Sequence, residues 1–325
     1  MDKVILTKRF HNEVVKKLEN EFELIIAEET DTPFLQLIEE NSDCKALIPF
    51  LSDKVDKSVI NSFPDLKVIS NYAVGYNNID VNEARRRGIY VTNTPDILTD
   101  ATADLTFALI LAVARKIPES DGFMRNGNFK GWGANLFLGK ELKGAVLGIV
   151  GLGKIGTAVA ERAIGFGMEV IYFSRSLKPE LESKFGFESV GFKELIERSD
   201  IISLHLPYSE EVHHMFNKDV FCNMKKDSIF INVARGAIVN EEDLTDSLEE
   251  GRLSGAGLDV FEFEPLVNKR LTKLNNVVMT PHIGSATFKA RLGMAEKVYN
   301  NVKAALSGDI PPDLVRELRK KGGEL

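Results

Sequence analysis

Apolar residues along this chain fall into short runs that are separated by longer segments with helical spacing. Runs in the first hundred residues predict strands at positions 4–6, 24–27, 46–49, 68–71 and 90–92. Later runs predict a second series of strands, at positions 146–150, 168–173, 201–206, 229–233, 257–260 and 277–280. Because strands and helices alternate almost throughout, the pattern predicts an α/β protein with parallel sheets and helices on both faces.

The position of one glycine-rich turn suggests two domains. With 325 residues, the chain is longer than one hydrophobic core usually serves. The turn comes only at Gly151, after five strands, so a second sheet begins near Gly144. The closing helix, predicted over 286–306, has no strand after it and is expected to return to the first unit. We therefore predict a first domain from residues 1–98 and 285–325, with residues 99–284 inserted as the second.

The longest nearly unbroken apolar stretch runs from Leu105 to Ala114. It is much shorter than the roughly 20 residues that a membrane span needs, so we expect a buried helix. Thr99 or Asp100 is expected to cap this helix, which should reach Lys116 before Pro118 stops it.

The segment from Val146 to Gly156 reads Val-Leu-Gly-Ile-Val-Gly-Leu-Gly-Lys-Ile-Gly. In a strand–turn–helix, Gly151 would allow the sharp turn and Gly153 would let the backbone approach a pyrophosphate. Gly156 would let the new helix pack closely on the sheet. The spacing predicts a dinucleotide cradle, and the alternative is an ordinary structural turn.

The next strand ends in Ser174-Arg175-Ser176, where an NAD enzyme usually places an acidic residue on the ribose 2′-hydroxyl. A carboxylate there would repel a 2′-phosphate, whereas a guanidinium between two hydroxyls could bind it. We therefore expect NADP to be the preferred cofactor, with NAD possible. The alternative is a solvated arginine at a strand end.

Charge and cysteine content exclude several classes of protein. The net charge is −7, and no basic run offers a track for nucleic acid. Two cysteines, Cys44 and Cys222, without metal-ligand spacing indicate free thiols in the cytoplasm and no metal site. The adjacent His213 and His214 are not expected to chelate one metal, because neighbouring side chains diverge. The first residues contain no signal peptide, so no membrane partner is expected.

Three chemically capable side chains follow strands of the second sheet. Arg235, Glu264 and His282 come after the runs that end near 233, 260 and 280. The carboxyl ends of parallel strands face the ligand crevice, so we expect a cation, an acid and an imidazole to converge there.

Six segments in order resemble the D-isomer-specific 2-hydroxyacid dehydrogenase family, in particular its glyoxylate/hydroxypyruvate reductase branch. They are Asn71–Asp80, Asn93–Asp104, Gly151–Gly156, Asn232–Gly236, Gly257–Pro265 and Thr280–Ser285. The resemblance extends from residue 3 to about residue 313. It implies a Rossmann cofactor domain inserted into a flavodoxin-like substrate domain. It also implies an oxidoreductase that uses NAD(P)H to reduce small 2-oxo acids, such as glyoxylate and hydroxypyruvate, to 2-hydroxy acids.

The resemblance also implies roles for individual residues. Arg235, Glu264 and His282 would be catalytic: an imidazole, whose ordinary pKa is about 6.5, is suited to donate a proton near neutral pH. Glu264 would orient the ring, and Arg235 would hold the substrate carboxylate. The expected substrate-binding residues are Leu51, Val74, Gly75, Arg235 and His282. The expected cofactor-binding residues are Gly151, Leu152, Gly153, Lys154, Ile155, Gly156, Ser174, Arg175, Ser176, His205, Pro207, Val233, Ala234, Asp259 and Gly284.

Several alternatives stay open at this point. The chain could be a phosphoglycerate dehydrogenase or another D-2-hydroxyacid dehydrogenase, or, more remotely, a nucleotide-sensing corepressor. Asp259 either lies near the cofactor or is a strand-end carboxylate satisfied by backbone amides. We expect a homodimer, in which Trp132 either reaches the neighbouring active site or packs in the interface.

Overall fold

The computed structural model describes residues 1–319. Short strands occur throughout this part of the chain. They are β1 (Lys3–Leu6), β2 (Glu23–Ile26), β3 (Ala46–Ile48), β4 (Val68–Ser70), β5 (Tyr90–Thr92), β6 (Val146–Val150), β7 (Glu169–Phe173), β8 (Glu188–Ser189), β9 (Ile201–Leu204), β10 (Ile229–Asn232), β11 (Gly255–Leu258) and β12 (Val277–Met279).

Helices connect most of these strands. They are α1 (Asn12–Glu21), α2 (Phe34–Glu40), α3 (Lys57–Asn61), α4 (Val81–Arg86), α5 (Thr99–Ala114), α6 (Ile117–Arg125), α7 (Lys154–Gly165), α8 (Pro179–Phe185), α9 (Phe192–Arg198), α10 (Lys218–Asn223), α11 (Glu241–Glu249) and α12 (Phe288–Ser307).

The strands form two separate parallel sheets. The first has the order β2-β1-β3-β4-β5, which is the flavodoxin-like order. The second has the order β12-β11-β10-β9-β6-β7-β8, which is the six-stranded dinucleotide-binding order with one further strand, β12, at its edge. Its central ladder pairs Val150 of β6 with Leu204 of β9. The predicted α/β class with two doubly wound parallel sheets is confirmed.

The chain divides into two compact units. Unit 1 comprises 1–98 and 286–325, and unit 2 comprises 99–285. In unit 1, β1, β3 and β4 consist almost entirely of buried aliphatic residues, because helices cover both faces of the sheet. Helix α12 packs on β4 and on α1.

Helix α5 forms much of the core of unit 2. Its apolar residues occupy several faces, and it packs against α7, β10 and β11. Gly257 of β11 lies under this helix, where a Cβ atom would come within 2.9 Å of Leu109. The close packing of α5 on the sheet fixes the strands whose ends carry the candidate site.

The structure corrects two details of the predicted helix. Thr99 and Asp100 lie within the first turn of α5 instead of capping it. Pro118 does not stop a helix but sits in the first turn of α6, after Lys116 in left-handed conformation. Proline is well tolerated at that position, since the first amides of a helix have no intrahelical acceptor.

Candidate functional site

The glycine turn connects β6 to α7 in the way the spacing predicts. Gly151 has φ +101°, and a Cβ there would lie 2.8 Å from the carbonyl oxygen of His205. A Cβ at Gly156 would overlap the carbonyl of Gly151, so the helix starts against the strand. At Gly153, by contrast, a Cβ would meet no atom within 4 Å.

The space beside Gly153 is the observation that fits a dinucleotide pyrophosphate. Gly153 is the N-cap of α7 and provides no side chain to satisfy the first amides of the helix. An anion held by those amides would also be favoured by the helix dipole. Lys154 is exposed, Ile155 is half-buried, and Leu152 is buried beneath the turn.

The end of β7 carries the residues expected to select the cofactor. Ser174 is half-buried, whereas Arg175 and Ser176 are exposed directly after the strand. The side chains therefore lie at the carboxyl end of the strand that pairs with β6. In this topology, that strand end is where a dinucleotide places its adenosine ribose.

His205 follows β9 beside the glycine turn. Its amide donates to Val150 O at 2.8 Å, and its Nε2 lies 2.9 Å from Ser203 Oγ. Nδ1 is buried and has no hydrogen-bond partner. Burial of the ring lowers the pKa of His205 to about 3, so the imidazole is neutral at physiological pH. Pro207, two residues on, is exposed.

Arg235 lies at the turn that follows β10, after the buried Val233 and Ala234. Asn232 braces this turn: its Nδ2 donates to Arg235 O at 3.0 Å, and its Oδ1 accepts from Ala234 N at 3.0 Å. Burial lowers the pKa of the Arg235 guanidinium, an effect that the nearby Glu264 carboxylate opposes. The group nevertheless stays charged, since arginine keeps its proton in proteins.

Glu264 and His282 form a hydrogen-bonded pair. His282 Nδ1 lies 2.9 Å from Glu264 Oε2, and Glu264 Oε1 accepts from Phe261 N at 3.0 Å. Burial raises the pKa of Glu264, but the contact with His282, helped by Phe261 N and Arg235, brings it below its ordinary value. The side chains are 36% and 33% exposed, so the pair is accessible from solvent.

His282 adopts a left-handed backbone conformation, with φ +52°. Asp259 supports this turn: its carbonyl accepts from His282 N at 2.9 Å, and its carboxylate accepts from Ile283 N and Gly284 N, each at 2.8 Å. Thr280 Oγ1 donates to the same carboxylate at 2.6 Å. Burial raises the pKa of Asp259, although these hydrogen bonds counteract it. Both of its oxygens are thus engaged within the turn.

In unit 1, the loop after β4 carries Val74 and Gly75. Asn93 Nδ2 donates to Val74 O at 2.7 Å, and Asn71 Nδ2 donates to Gly75 O at 2.8 Å. These amides hold the loop by its carbonyl groups. Leu51 is half-buried after β3, and Phe50 O accepts from Asn78 Nδ2 at 3.1 Å.

The two adjacent histidines, His213 and His214, correct the reason that was given for expecting them not to chelate one metal. Their rings do not diverge but stack, with centroids 3.9 Å apart, because His214 takes a left-handed conformation with φ +49°.

Within residues 1–319, no group of three or more potential metal ligands is present. In the same range, no helix has the length and apolar character needed to cross a membrane.

Sequence reasoning missed the residues that brace the site. Asn71 and Asn93 each follow a buried strand, Asn232 is the last residue of one, and each holds a loop carbonyl. A polar residue directly after an apolar run is the sequence signal that could have identified them. Trp132 is 87% exposed, which leaves both of its predicted roles untested.

Taken together, the inserted dinucleotide-type sheet, its glycine turn and the Glu264–His282 pair define a nicotinamide-dependent dehydrogenase. Residues 107–284 match the model of the D-isomer specific 2-hydroxyacid dehydrogenase, NAD binding domain. The chain is 50% identical over 320 residues to a glyoxylate reductase from Thermococcus litoralis, with 97% of each chain covered. It is 46% identical to one from Pyrococcus horikoshii, with 99% of each covered.

A solved structure is similar over the same extent. It is an NADPH-dependent glyoxylate/hydroxypyruvate reductase from Sinorhizobium meliloti in complex with NADP and malonate, with a TM-score of 0.87, 30% identity and 99% of each chain covered. The chain belongs to the D-isomer specific 2-hydroxyacid dehydrogenase family, which confirms the resemblance found in the sequence.

Proposed function

We propose that the protein reduces small 2-oxo acids, with glyoxylate and hydroxypyruvate as its best substrates, and that it prefers NADPH. The observation that carries the proposal is the 2.9 Å contact between Glu264 and His282 at the carboxyl edge of a dinucleotide-binding sheet. The glyoxylate reductases at 50% and 46% identity support the substrate class.

In the proposed reaction, a bound nicotinamide dinucleotide supplies the hydride. Hydride addition to the carbonyl carbon leaves negative charge on the oxygen, which needs a proton. When His282 Nδ1 donates to Glu264, Nε2 is the ring atom left to deliver that proton. Arg235 polarises the carbonyl and binds the carboxylate through its planar donors. Asp259 keeps the His282 turn in place and is therefore a positioning residue.

The glycine turn and the ends of the neighbouring strands would hold the dinucleotide. We assign the pyrophosphate to Gly153 and the amides of α7, because that is where the structure leaves room for it. Ser174, Arg175 and Ser176 would bind the ribose 2′-phosphate. His205 and Pro207, Val233 and Ala234, and Gly284 follow other strands of this sheet, where they would border the rest of the cofactor.

In unit 1, we assign carboxylate binding to the amides near Val74 and Gly75, and contact with the substrate C3 group to Leu51. The segment 49–52 contains no Lys or Arg. Lys8 Nζ reaches Ser52 Oγ at 2.7 Å, but it also lies 3.6 Å from Asp53, which already balances its charge. A substrate phosphate placed here would be poorly compensated.

Steady-state oxidation of NADPH with glyoxylate, hydroxypyruvate and 3-phosphohydroxypyruvate tests this assignment. We expect kcat/KM for the first two acids to exceed that for the phosphorylated one. Equal or faster turnover of 3-phosphohydroxypyruvate would favour a phosphoglycerate dehydrogenase instead. Nucleotide binding without turnover of any acid would favour the sensing corepressor.

The cofactor preference has its own test in Arg175→Ala. Loss of the guanidinium should raise KM for NADPH and leave KM for NADH nearly unchanged, because only NADPH carries the 2′-phosphate. Lys193→Ala is the matched control, since Lys193 is an exposed cation of the same unit that pairs with Glu197. Equal losses with both cofactors would contradict the role of Arg175.

We further propose that the chain works as a homodimer in the cytoplasm. The homodimer is supported by Trp132 and Leu138, which are exposed apolar side chains in one loop, at 87% and 63%. The cytoplasm is supported by Cys44 and Cys222, which form no disulfide. Sedimentation analysis of the purified protein, with Trp132→Ala as the variant, measures the assembly. A wild-type monomer at micromolar concentration would contradict it.

A further inference from the structure

Two glutamates of unit 2 exchange hydrogen bonds with one another's backbone. Glu241 N donates to Glu262 Oε2 at 3.0 Å, and Glu262 N donates to Glu241 Oε2 at 2.9 Å. Glu241 is the first residue of α11, and Glu262 lies two residues before Glu264 in the chain. This reciprocal pair ties the start of a helix to the loop that carries Glu264.

Both carboxylates use their remaining oxygen as well. Glu262 Oε1 lies 2.6 Å from His214 Nε2, and Glu241 Oε1 accepts from Asn268 N at 2.9 Å. Glu241 is 8% exposed, and so is the side chain of Glu262. Buried carboxylates are costly unless their oxygens find donors, and every oxygen here has one.

The loop that carries Phe261, Glu262 and Glu264 also contacts the turn of Arg235. A Cβ at Gly236 would overlap the carbonyl of Phe261 and lie close to Glu262 N, so the two backbones are in direct contact. Phe261 N in turn donates to Glu264 Oε1 at 3.0 Å. His214 N bonds to Ala237 O at 3.0 Å, which attaches the third member of the network to the same turn.

We propose that Glu241, Glu262 and His214 form a positioning clamp, which holds the backbone of Phe261 against the Arg235–Gly236 turn and thereby places Glu264 beside His282. None of the three is assigned a contact with substrate or cofactor. The proposal rests on the proposed function, in which Glu264 orients the proton donor. A loosened clamp would leave the catalytic side chains present but misplaced, and small displacements of reacting groups are expensive in rate.

The decisive pair of variants is Glu262→Ala and Glu262→Gln. Alanine removes both hydrogen bonds of the side chain, whereas glutamine keeps an acceptor for Glu241 N and a polar partner for His214 while losing the charge. We expect Glu262→Ala to lower kcat for glyoxylate reduction about 10–100-fold with little change in KM for NADPH. Glu262→Gln should recover most of kcat, which separates hydrogen bonding from charge.

Arg270→Gln serves as the control for general loss of stability. Arg270 pairs with Asp246 at 2.6 Å and also with Glu242 and Glu249, so it fastens the same helix α11 without touching the clamp. We expect a lower Tm with an unchanged pH profile of kcat/KM. A proportional loss of kcat and Tm in both Glu262→Ala and Arg270→Gln would overturn the proposal.

A pH profile provides the readout that a merely structural role would not move. The charged groups that face Glu264 are His282 and Arg235. Burial raises the pKa of Glu264, but the contact with His282, helped by Phe261 N and Arg235, brings it below its ordinary value. If Glu262→Ala lets Phe261 move, Glu264 loses part of the stabilisation of its charged form. The fall of kcat/KM at acid pH should then begin at higher pH than in the wild type, and an unshifted profile would contradict the clamp.

Hydrogen–deuterium exchange tests the clamp without any turnover. In Glu262→Ala, peptides that cover residues 258–266 and 235–241 should exchange faster, whereas Arg270→Gln should leave them protected. Unchanged protection in Glu262→Ala would overturn the proposal even if activity fell. If the wild type reduced none of the 2-oxo acids, the proposed function would fail while this measurement still decided whether the clamp holds the segment.

Discussion

The loop after β4 in unit 1 and the turns after β11 and β12 in unit 2 are braced by opposite chemistry. In unit 1, Asn71 and Asn93 donate to the carbonyls of Gly75 and Val74. In unit 2, the carboxylates of Asp259 and Glu262 accept from backbone amides. Where the carbonyls are held, as in unit 1, the N–H groups of the loop remain to face a ligand. Where carboxylates hold the amides, as in unit 2, negative charge lies beside the turns.

The difference follows from what each region is proposed to do. A trans peptide group points its C=O and N–H in opposite directions, so holding Val74 O fixes the direction of Gly75 N–H. A loop braced through its carbonyls can thus offer amides to an anionic substrate. Carboxylate braces instead place negative charge beside the turn that carries His282, and the neighbouring Glu264 carboxylate complements the positive charge of Arg235.

The largest expected effect is that of His282→Gln. Removing the proton donor should lower kcat for glyoxylate reduction by ~10²–10⁴-fold, since this is the range of general acid catalysis. Cofactor affinity should stay close to that of the wild type, because the ring is assigned to the substrate. Stopped-flow kinetics and NADPH titration measure the two quantities, and a kcat near that of the parent enzyme would remove His282 from its role.

A smaller loss is expected for Arg235→Gln, which keeps a polar side chain but removes the charge and the fork of donors. We expect kcat/KM for glyoxylate to fall about 10²–10³-fold, with KM raised as well as kcat lowered. An unchanged KM would show that Arg235 does not bind the substrate carboxylate.

The hydrogen bond from Asn93 to the loop after β4 in unit 1 should affect binding of the substrate and leave kcat unchanged. Asn93→Ala removes one hydrogen bond to Val74 O and should raise KM for glyoxylate about tenfold, with kcat little changed. Asn41→Ala is the matched control, because Asn41 Nδ2 also donates to a backbone carbonyl of unit 1, that of Leu37, at the end of α2. If both variants behaved alike, the brace would have no specific connection with the substrate.

The smallest effect concerns stability and involves no catalysis. Burial lowers the pKa of His205 to about 3, below the ordinary value of about 6.5 for an unfolded chain. Between these values the unfolded state binds more protons, so stability should be lost as pH falls from 6.5 towards 3. Tm of His205→Gln should therefore depend less on pH in this window, and parallel curves for both proteins would contradict the buried neutral ring.

Much of the fold was predictable because apolar runs mark the buried strands. Tyr90–Thr92 and Val146–Val150 match their predicted bounds, and the other predicted strands differ by one or a few residues at their ends. Strand β8 was missed because Glu188 and Ser189 form a two-residue edge strand without an apolar run. Lys116 and Pro118 misled the prediction because a proline that ends one helix and one that begins the next look alike locally.

The candidate site was predictable only in part. Arg235, Glu264 and His282 follow strands and belong to recognisable segments, so the sequence indicates them. The braces depend on contacts between distant segments: Glu241 and Glu262 are 21 residues apart, and their exchange of hydrogen bonds has no local signature. The stacking of His213 on His214 depends on one left-handed residue that the sequence does not mark.

The pH profile of kcat/KM for glyoxylate reduction, compared between the wild type and Glu264→Gln, decides whether Glu264 acts together with His282. Burial raises the pKa of Glu264, but the contact with His282, helped by Phe261 N and Arg235, brings it below its ordinary value. We therefore expect kcat/KM of the wild type to fall only at acid pH, as Glu264 takes up a proton. In Glu264→Gln this acid fall should be absent, because glutamine does not titrate, and kcat/KM at neutral pH should be lower. Superimposable profiles for the two proteins would contradict the role of Glu264.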